Sequence, residues 1–204
     1  MPASIPILLL KDRDFRAVWL VGGLTGTVRW LEMLSIGIYT FDLTASPLWV
    51  AAMMVVRMLP NVLFGVIFGA YAERFNRQHF LLGGLACALL VASALGLLSA
   101  FGWLALWHIA LGAFLSGTYF STEFPVRRRM IGELAGDDRA GTAMALDSAT
   151  NNATRAIGPA LGGLIYHTIG LGGAYLVGAA AYAVCIVLAL RLRYSAERHS
   201  THQR

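Results

Sequence analysis

Apolar residues recur along this chain in long unbroken blocks, and short polar clusters separate them. Six blocks are long enough to cross a bilayer as helices: about Phe15 to Phe41, Pro47 to Ala72, His79 to Phe101, Trp103 to Val126, Gly141 to Thr168 and Gly172 to Leu192, each at or above the ~20 residues a span needs. Most are apolar all round, which argues against a soluble bundle whose helices keep one charged face. The pattern predicts an all-α membrane protein: a polar segment over 1–14, a six-helix transmembrane domain over 15–192 and a polar tail over 193–204. The opening Ile5–Leu10 run is too short for a signal-peptide core, and Lys11, Asp12, Arg13 and Asp14 follow it at once, so the amino terminus is expected to be retained.

Composition agrees. Apolar residues make up 57% and charged residues 13%, about half the charged share of a soluble domain, and the mean hydropathy is +0.64. The net charge of +5 is a topology signal. With six spans, Lys11, Arg13, Arg16, Arg74, Arg77, Arg127, Arg128, Arg129, Arg139, Arg191, Arg193, Arg198 and Arg204 all fall on the side of the amino terminus. The opposite loops, Asp42–Ser46, Phe101–Gly102 and Ile169–Leu171, have no Lys or Arg. This asymmetry places both termini in the cytoplasm, as for a multi-pass protein of the inner (cytoplasmic) membrane. The basic residues are dispersed over separate loops, so the bilayer is an expected partner and nucleic acid is not. Cys87 and Cys185 lie in apolar runs and imply no disulfide framework. His108 and His167 lack a second ligand at metal spacing, and no nucleophile has a placed base. No enzyme activity, metal or cofactor is therefore expected.

Three arginines fall at predicted mid-membrane depth: Arg29, Arg57 and Arg155. Each costs about 2.5–3.5 kcal/mol there unless partners or water shelter it. Glu32 follows Arg29 by three and shares its helical face, Asn61 follows Arg57 by four, and Asp147, Asn151 and Arg155 repeat at a spacing of four beside Ser148, Thr150, Asn152 and Thr154. One reading makes Arg29 and Glu32 a structural ion pair. Yet Glu32 is the one carboxylate expected at comparable depth, with Asp147 nearer the cytoplasmic end, so a surplus of positive charge points to a central cavity that accepts an anion. Arg29, Arg57, Asn61, Asn151 and Arg155 are its candidate substrate-binding residues. Glu32 and Asp147 are the candidate proton carriers, and protonation of Glu32 would release Arg29. Glu123 and Arg127–Arg129 are expected at the inner interface, reaching towards lipid headgroups. Trp49, Trp103 and Trp107 fit an outer aromatic belt.

Small-residue pairs supply the expected packing: Gly65 with Gly69, and Gly158 with Gly162 around Pro159. Such pairs let helix backbones approach closely, and the proline frees a carbonyl and can bend its span. Arg57-Met58-Leu59-Pro60 and Arg155-Ala156-Ile157-Gly158-Pro159 are alike and lie in the second helix of successive triplets, as in an inverted three-plus-three repeat.

The stretch from Gly69 to Leu81 resembles the loop signature of the major facilitator superfamily, G-x-L-A-D-R-x-G-R-R/K-x-x-L. Gly69, Ala72, Arg74, Arg77 and Leu81 match it; Glu73 replaces the acid, Tyr71 the leucine and Asn76 the second glycine, and Gln78 departs. Phe15–Leu20, Asp42–Pro47, Met58–Pro60, Ala145–Ser148 and Arg155–Gly163 are similar to the enterobactin-exporter-like branch. The resemblance implies a transporter whose first, second, fourth and fifth helices line a cavity, with Gly69, Glu73, Arg74 and Arg77 at a cytoplasmic gate. It also leans the direction towards proton-antiport efflux. Such transporters have two six-helix halves and this sequence carries one. A second half is therefore expected, as a homodimer partner, a separate chain or the remainder of a longer protein. The expected function is secondary active export of a small, anionic organic molecule; the alternative is a membrane interaction module or an inactive remnant that does not transport.

Overall fold

The computed structural model describes residues 5–72 and 76–192, with side chains over 8–65 and 76–192. All regular structure among these residues is helical: α1 (Ile5–Lys11), α2 (Arg13–Thr44), α3 (Pro47–Ala72), α4 (Arg77–Ala100), α5 (Leu106–Ala135), a single 3-10 turn at Asp137–Arg139, and α6 (Ala140–Leu190). Local chemistry sets the boundaries. The Asp12 carboxylate accepts from the backbone N–H groups of Asp14 (2.9 Å) and Phe15 (3.0 Å), capping α2, and the Asn76 side chain accepts from the Gln78 N–H (3.0 Å) to start α4, as short polar side chains do at helix N-termini. The Ala105 N–H donates to Nδ1 of His108 (3.0 Å) at the start of α5. Gly136, at φ 73°, ends α5.

The helices occupy the expected apolar blocks, with one difference of continuity. That difference is at the fifth and sixth blocks, which run on with no intervening loop and carry the single label α6; they are two helices that meet at a kink at Gly170 (φ 68°, ψ −173°), inside the connection expected at Ile169–Leu171. That conformation is open to glycine and costly for other residues. Among the described residues three segments are long and apolar enough to cross a membrane by length and composition: Pro47–Gly65, Arg77–Ala100 and Asp137–Leu190. Helices α2 and α5 are also long but more polar, because they carry Arg29 and Glu32 and, on α5, Glu123 and Arg127–Arg129.

Helix α2 packs mainly along α6, α3 along α5, and α4 against both α5 and α6. The buried core joins Phe15, Val18 and Val21 of α2 to Leu81 and Leu85 of α4, Ile109 and Met130 of α5, and Tyr175 and Cys185 of α6. Glycines set how closely the helices approach. A Cβ at Gly158 would lie 2.6 Å from Cβ of Trp30, and one at Gly162 would lie 3.0 Å from Cα of Leu31, so this pair seats α2 on α6. At Gly65 a Cβ would meet only the Asn61 side chain of its own helix, at 3.3 Å. The close approach of α3 is made instead at Gly117 of α5, where a Cβ would collide with the Arg57 carbonyl.

Candidate functional site

The sheltered charges form two clusters. In the first, Glu32 of α2 is 2% exposed and pairs with Arg57 of α3, Nη2 to Oε2 at 3.5 Å. The Tyr182 hydroxyl of α6 donates to Oε1 of Glu32 (3.3 Å), and Nη2 of Arg57 also lies 3.5 Å from the Arg29 carbonyl oxygen. Glu32 thus pairs across helices with Arg57, in place of the local pair with Arg29 that their spacing suggests. The physical reason is direction: residues three apart share a face, but the close seat of α3 on Gly117 brings the Arg57 guanidinium to that face as well.

Arg29 meets aromatic rings. Its guanidinium carbon lies 4.1 Å from the Phe120 ring centre and 4.8 Å from that of Trp30, within the range of attraction between a cation and an aromatic face. Arg155, exposed on α6, approaches Trp30 at 5.7 Å. Among the described residues neither Arg29 nor Arg155 has a carboxylate at ion-pair distance.

The second cluster lies between α5 and α6. Arg127 is 3% exposed, Glu123 4% and Asp147 3%. Nε of Arg127 donates to Oε1 of Glu123 (2.7 Å), and Nη1 donates to Oδ1 of Asp147 (2.5 Å). Thr25 of α2 reaches Glu123 at 3.5 Å, and Gly22 makes room for the guanidinium, which a Cβ there would strike. Glu123 and Arg127 are therefore interior groups; the expectation that they face lipid headgroups is corrected. Burial between α2, α5 and α6 lets the guanidinium pair with both carboxylates inside the protein, so these side chains do not extend towards headgroups. The spacing of four between them carried the signal, since Glu and Arg so placed can pair on one helix face. The count of interior carboxylates rises from one to three, and the positive surplus shrinks accordingly.

Part of the hydrophilic stripe of α6 is absorbed by packing. Trp19 Nε1 donates to the Thr150 hydroxyl (2.8 Å), and Thr154 rests on Gly26, where a Cβ would lie 2.9 Å from its hydroxyl oxygen. Asn151 lines a narrow polar crevice of about 10 Å³ together with Thr25, Arg29, Ser116, Glu123 and Arg127. A larger hollow of about 280 Å³ is lined by Arg29, Trp30, Arg57, Met58, Asn61 and Phe120 among others. It shares Trp30, Met33 and Met54 with an apolar hollow of about 590 Å³, which Phe41, Val50 and Pro159 also line. Of the five candidate substrate-binding residues, Arg29, Arg57 and Asn61 meet at one hollow. Asn151 lies in the adjoining crevice and Arg155 at the Trp30 edge.

At the end where α3 leads into α4, Arg77 forms an ion pair with Glu133 of α5, and Glu133 also meets Arg129 at 3.4 Å. The Gln78 amide donates to the carbonyls of Ala189 (2.9 Å) and Leu192 (3.2 Å), tying the start of α4 to the end of α6. Glu73 and Arg74 lie outside the described residues, and of Gly69 only its place in α3 is described.

Comparison with known proteins gives a family and two relatives. A family model described as transmembrane secretion effector matches residues 6–203. The chain is 26% identical over 161 residues to an uncharacterized MFS-type transporter, YfiS, of Bacillus subtilis, covering 78% of this chain and 37% of that protein. It is 23% identical over 166 residues to the staphyloferrin A transporter of Staphylococcus aureus, covering 81% of this chain and 42% of that protein. The chain thus spans less than half the length of these curated relatives.

Proposed function

The chain belongs to the major facilitator superfamily, in its transmembrane secretion effector family, and from that premise we propose that it is the six-helix amino-terminal half of a secondary active transporter. In this reading all six blocks cross the inner membrane with both termini in the cytoplasm, and a second six-helix half completes the cavity. The cargo is a small anionic organic molecule, moved outward and coupled to proton movement. The observation that carries the reading is Arg29: a guanidinium held between Phe120 and Trp30 at a hollow of about 280 Å³, with no carboxylate at ion-pair distance among the described residues. A cation so placed in a membrane protein is satisfied by water or by an anionic ligand. Arg155 and Asn61 extend the polar side of the site, and the adjoining apolar hollow would receive the body of the molecule. The description of the family as secretion effectors supports the outward direction. Arg77 and Glu133 would hold the cytoplasmic gate, together with Glu73 and Arg74.

The test is transport of labelled small carboxylates, benzoate and citrate, in proteoliposomes holding the chain alone or with a candidate second half, with and without a pH gradient. We expect transport only when two halves are present, and a fall of about tenfold or more in Arg29→Gln, the effect of losing a charge-assisted hydrogen bond. Transport of lipophilic cations with Arg29→Gln unaffected would overturn the anion assignment. No transport by any pairing of halves would favour the non-transporting module.

A further inference from the structure

The buried charges do not pair evenly, and the imbalance has a location. Glu32 and Arg57 match one to one. In the second cluster, two carboxylates, Glu123 and Asp147, share the single guanidinium of Arg127. Among the described residues Arg29 and Arg155 are the unmatched cations of the spans; Arg155 is exposed, and Arg29 lines the same narrow crevice as Glu123 and Arg127. Among the described residues the interior thus holds three arginines and three carboxylates, and the unmatched Arg29 lines the same crevice as Glu123, one of the two carboxylates that share Arg127.

We propose that the Glu123–Asp147 carboxylate pair, bridged by Arg127, is the proton-binding site of this half. Two carboxylates that share one cation at 3–4% exposure hold their second negative charge at high cost. A proton shared between them removes that charge and leaves one carboxylate facing one guanidinium. It belongs to the pair more than to either residue. Glu32 has no such surplus, since Arg57 already balances it and Tyr182 donates to it.

The groups facing the pair are few among the described residues. Helix α2 presents Arg29 and the Thr25 hydroxyl, and α3 contributes Arg57 to the lining of the crevice. Helix α5 adds Tyr119 and Arg127 themselves, α6 adds Tyr182 and Cys185, and α4 brings no ionisable group against the pair. Access is through the crevice, whose volume of about 10 Å³ is the room of one water molecule. Its lining by Thr25, Ser116 and Asn151 supplies polar groups that such a water can bridge.

The inference rests on the transporter reading for its consequence, not for its existence. An anion that neutralises Arg29 takes away the counter-charge of the surplus carboxylate, so the proton is held more tightly. By reciprocity the proton tightens the anion. Proton and anion therefore load together and cross in the same direction, a symport in place of the antiport the resemblance implies, so the anion leaves only down its own gradient.

Infrared difference spectroscopy against pH, on the 204-residue chain in lipid nanodiscs, reads the site without any cargo. We expect a carboxylic-acid C=O band at the higher frequency of an acid shielded from water, separate from the band of the exposed carboxylates among the 11 Asp and Glu, that grows as pH falls. It should vanish in Glu123→Gln and in Asp147→Asn, since either change leaves a balanced pair, and persist in Glu32→Gln. In Arg29→Gln the midpoint should move up by about one pH unit or more, the usual effect of removing a nearby opposite charge. Amide bands report that each variant is folded, and if one of the two pair variants does not fold, the other and Arg29→Gln decide. Absence of the band in the unaltered chain, its loss in Glu32→Gln alone, or an unmoved midpoint in folded Arg29→Gln overturns the proposal. A chain that titrates as described but never transports would overturn the transporter reading and leave the proton site standing.

Discussion

Glu32 and Arg57 join α2 to α3 as one anion with one cation, whereas Glu123, Arg127 and Asp147 join α5 to α6 as two anions with one cation. The first contact is long, at 3.5 Å, and borders a hollow of about 280 Å³ through Arg57. The second is short, at 2.5–2.7 Å, and has a glycine seat cut for its guanidinium. The difference teaches that burial alone does not define a role. A matched pair can be exchanged for apolar groups with little loss, while an unmatched one must either take a proton or keep its single cation.

The largest expected effect follows from removing that cation. Arg127→Met leaves two buried carboxylates without a partner and should cost about 3–5 kcal/mol, read by denaturant unfolding in detergent; a loss below about 1 kcal/mol would place the cluster in water. The comparison sharpens with double variants. Glu123→Leu with Arg127→Met still strands Asp147 and should remain destabilised by about 2–4 kcal/mol, part of the penalty for an uncompensated buried charge. Next come the glycine seats. Gly117→Ala drives a methyl group into the Arg57 carbonyl, which belongs to the backbone and cannot turn aside. A loss of about 1–3 kcal/mol is expected from overpacking. Gly22→Ala meets the end of the Arg127 side chain and should cost less, because a side chain can shift. Of the charge variants the smallest effect is expected for Glu32→Leu with Arg57→Met, at most about 2 kcal/mol, because the matched charges leave together and only the Tyr182 hydroxyl and the Arg29 carbonyl lose a partner. A loss of several kcal/mol there would make the two clusters alike and end the distinction.

Much of the helical arrangement is legible in the order of residues. Long apolar blocks act through neighbours close in the chain, so local chemistry suffices to place them; the Gly158–Gly162 spacing marks a small-residue face, whose seat on Trp30 and Leu31 only the fold supplies, and the caps Asp12 and Asn76 were not read from the sequence. The break in helical geometry at Gly170 falls inside the connection expected at Ile169–Leu171, since a glycine between two apolar blocks is a local signal. The candidate site was legible in its residue types and less so in its pairings. Arg29, Arg57 and Asn61 do meet at one hollow. Glu123 and Arg127, placed by hydropathy at a membrane interface, turn out to be interior. Hydropathy averages over a helix and carries no information on which neighbour will cover a given face.

What the sequence by itself determined is that this chain forms long apolar helices and that Arg29, Arg57 and Arg155 need shelter. Those conclusions depend on the free energy of taking a polar group or a charge out of water, which is a property of the residue. Only the tertiary structure decided which carboxylate meets which guanidinium, that Arg29 is left to aromatic rings, and that Gly117 seats α3 where Gly65 has only its own helix for company. Ion pairing at 3 Å is set by the lateral position of helices drawn from distant parts of the chain. The spacing of residues along one helix specifies a face, and the fold alone specifies what lies opposite.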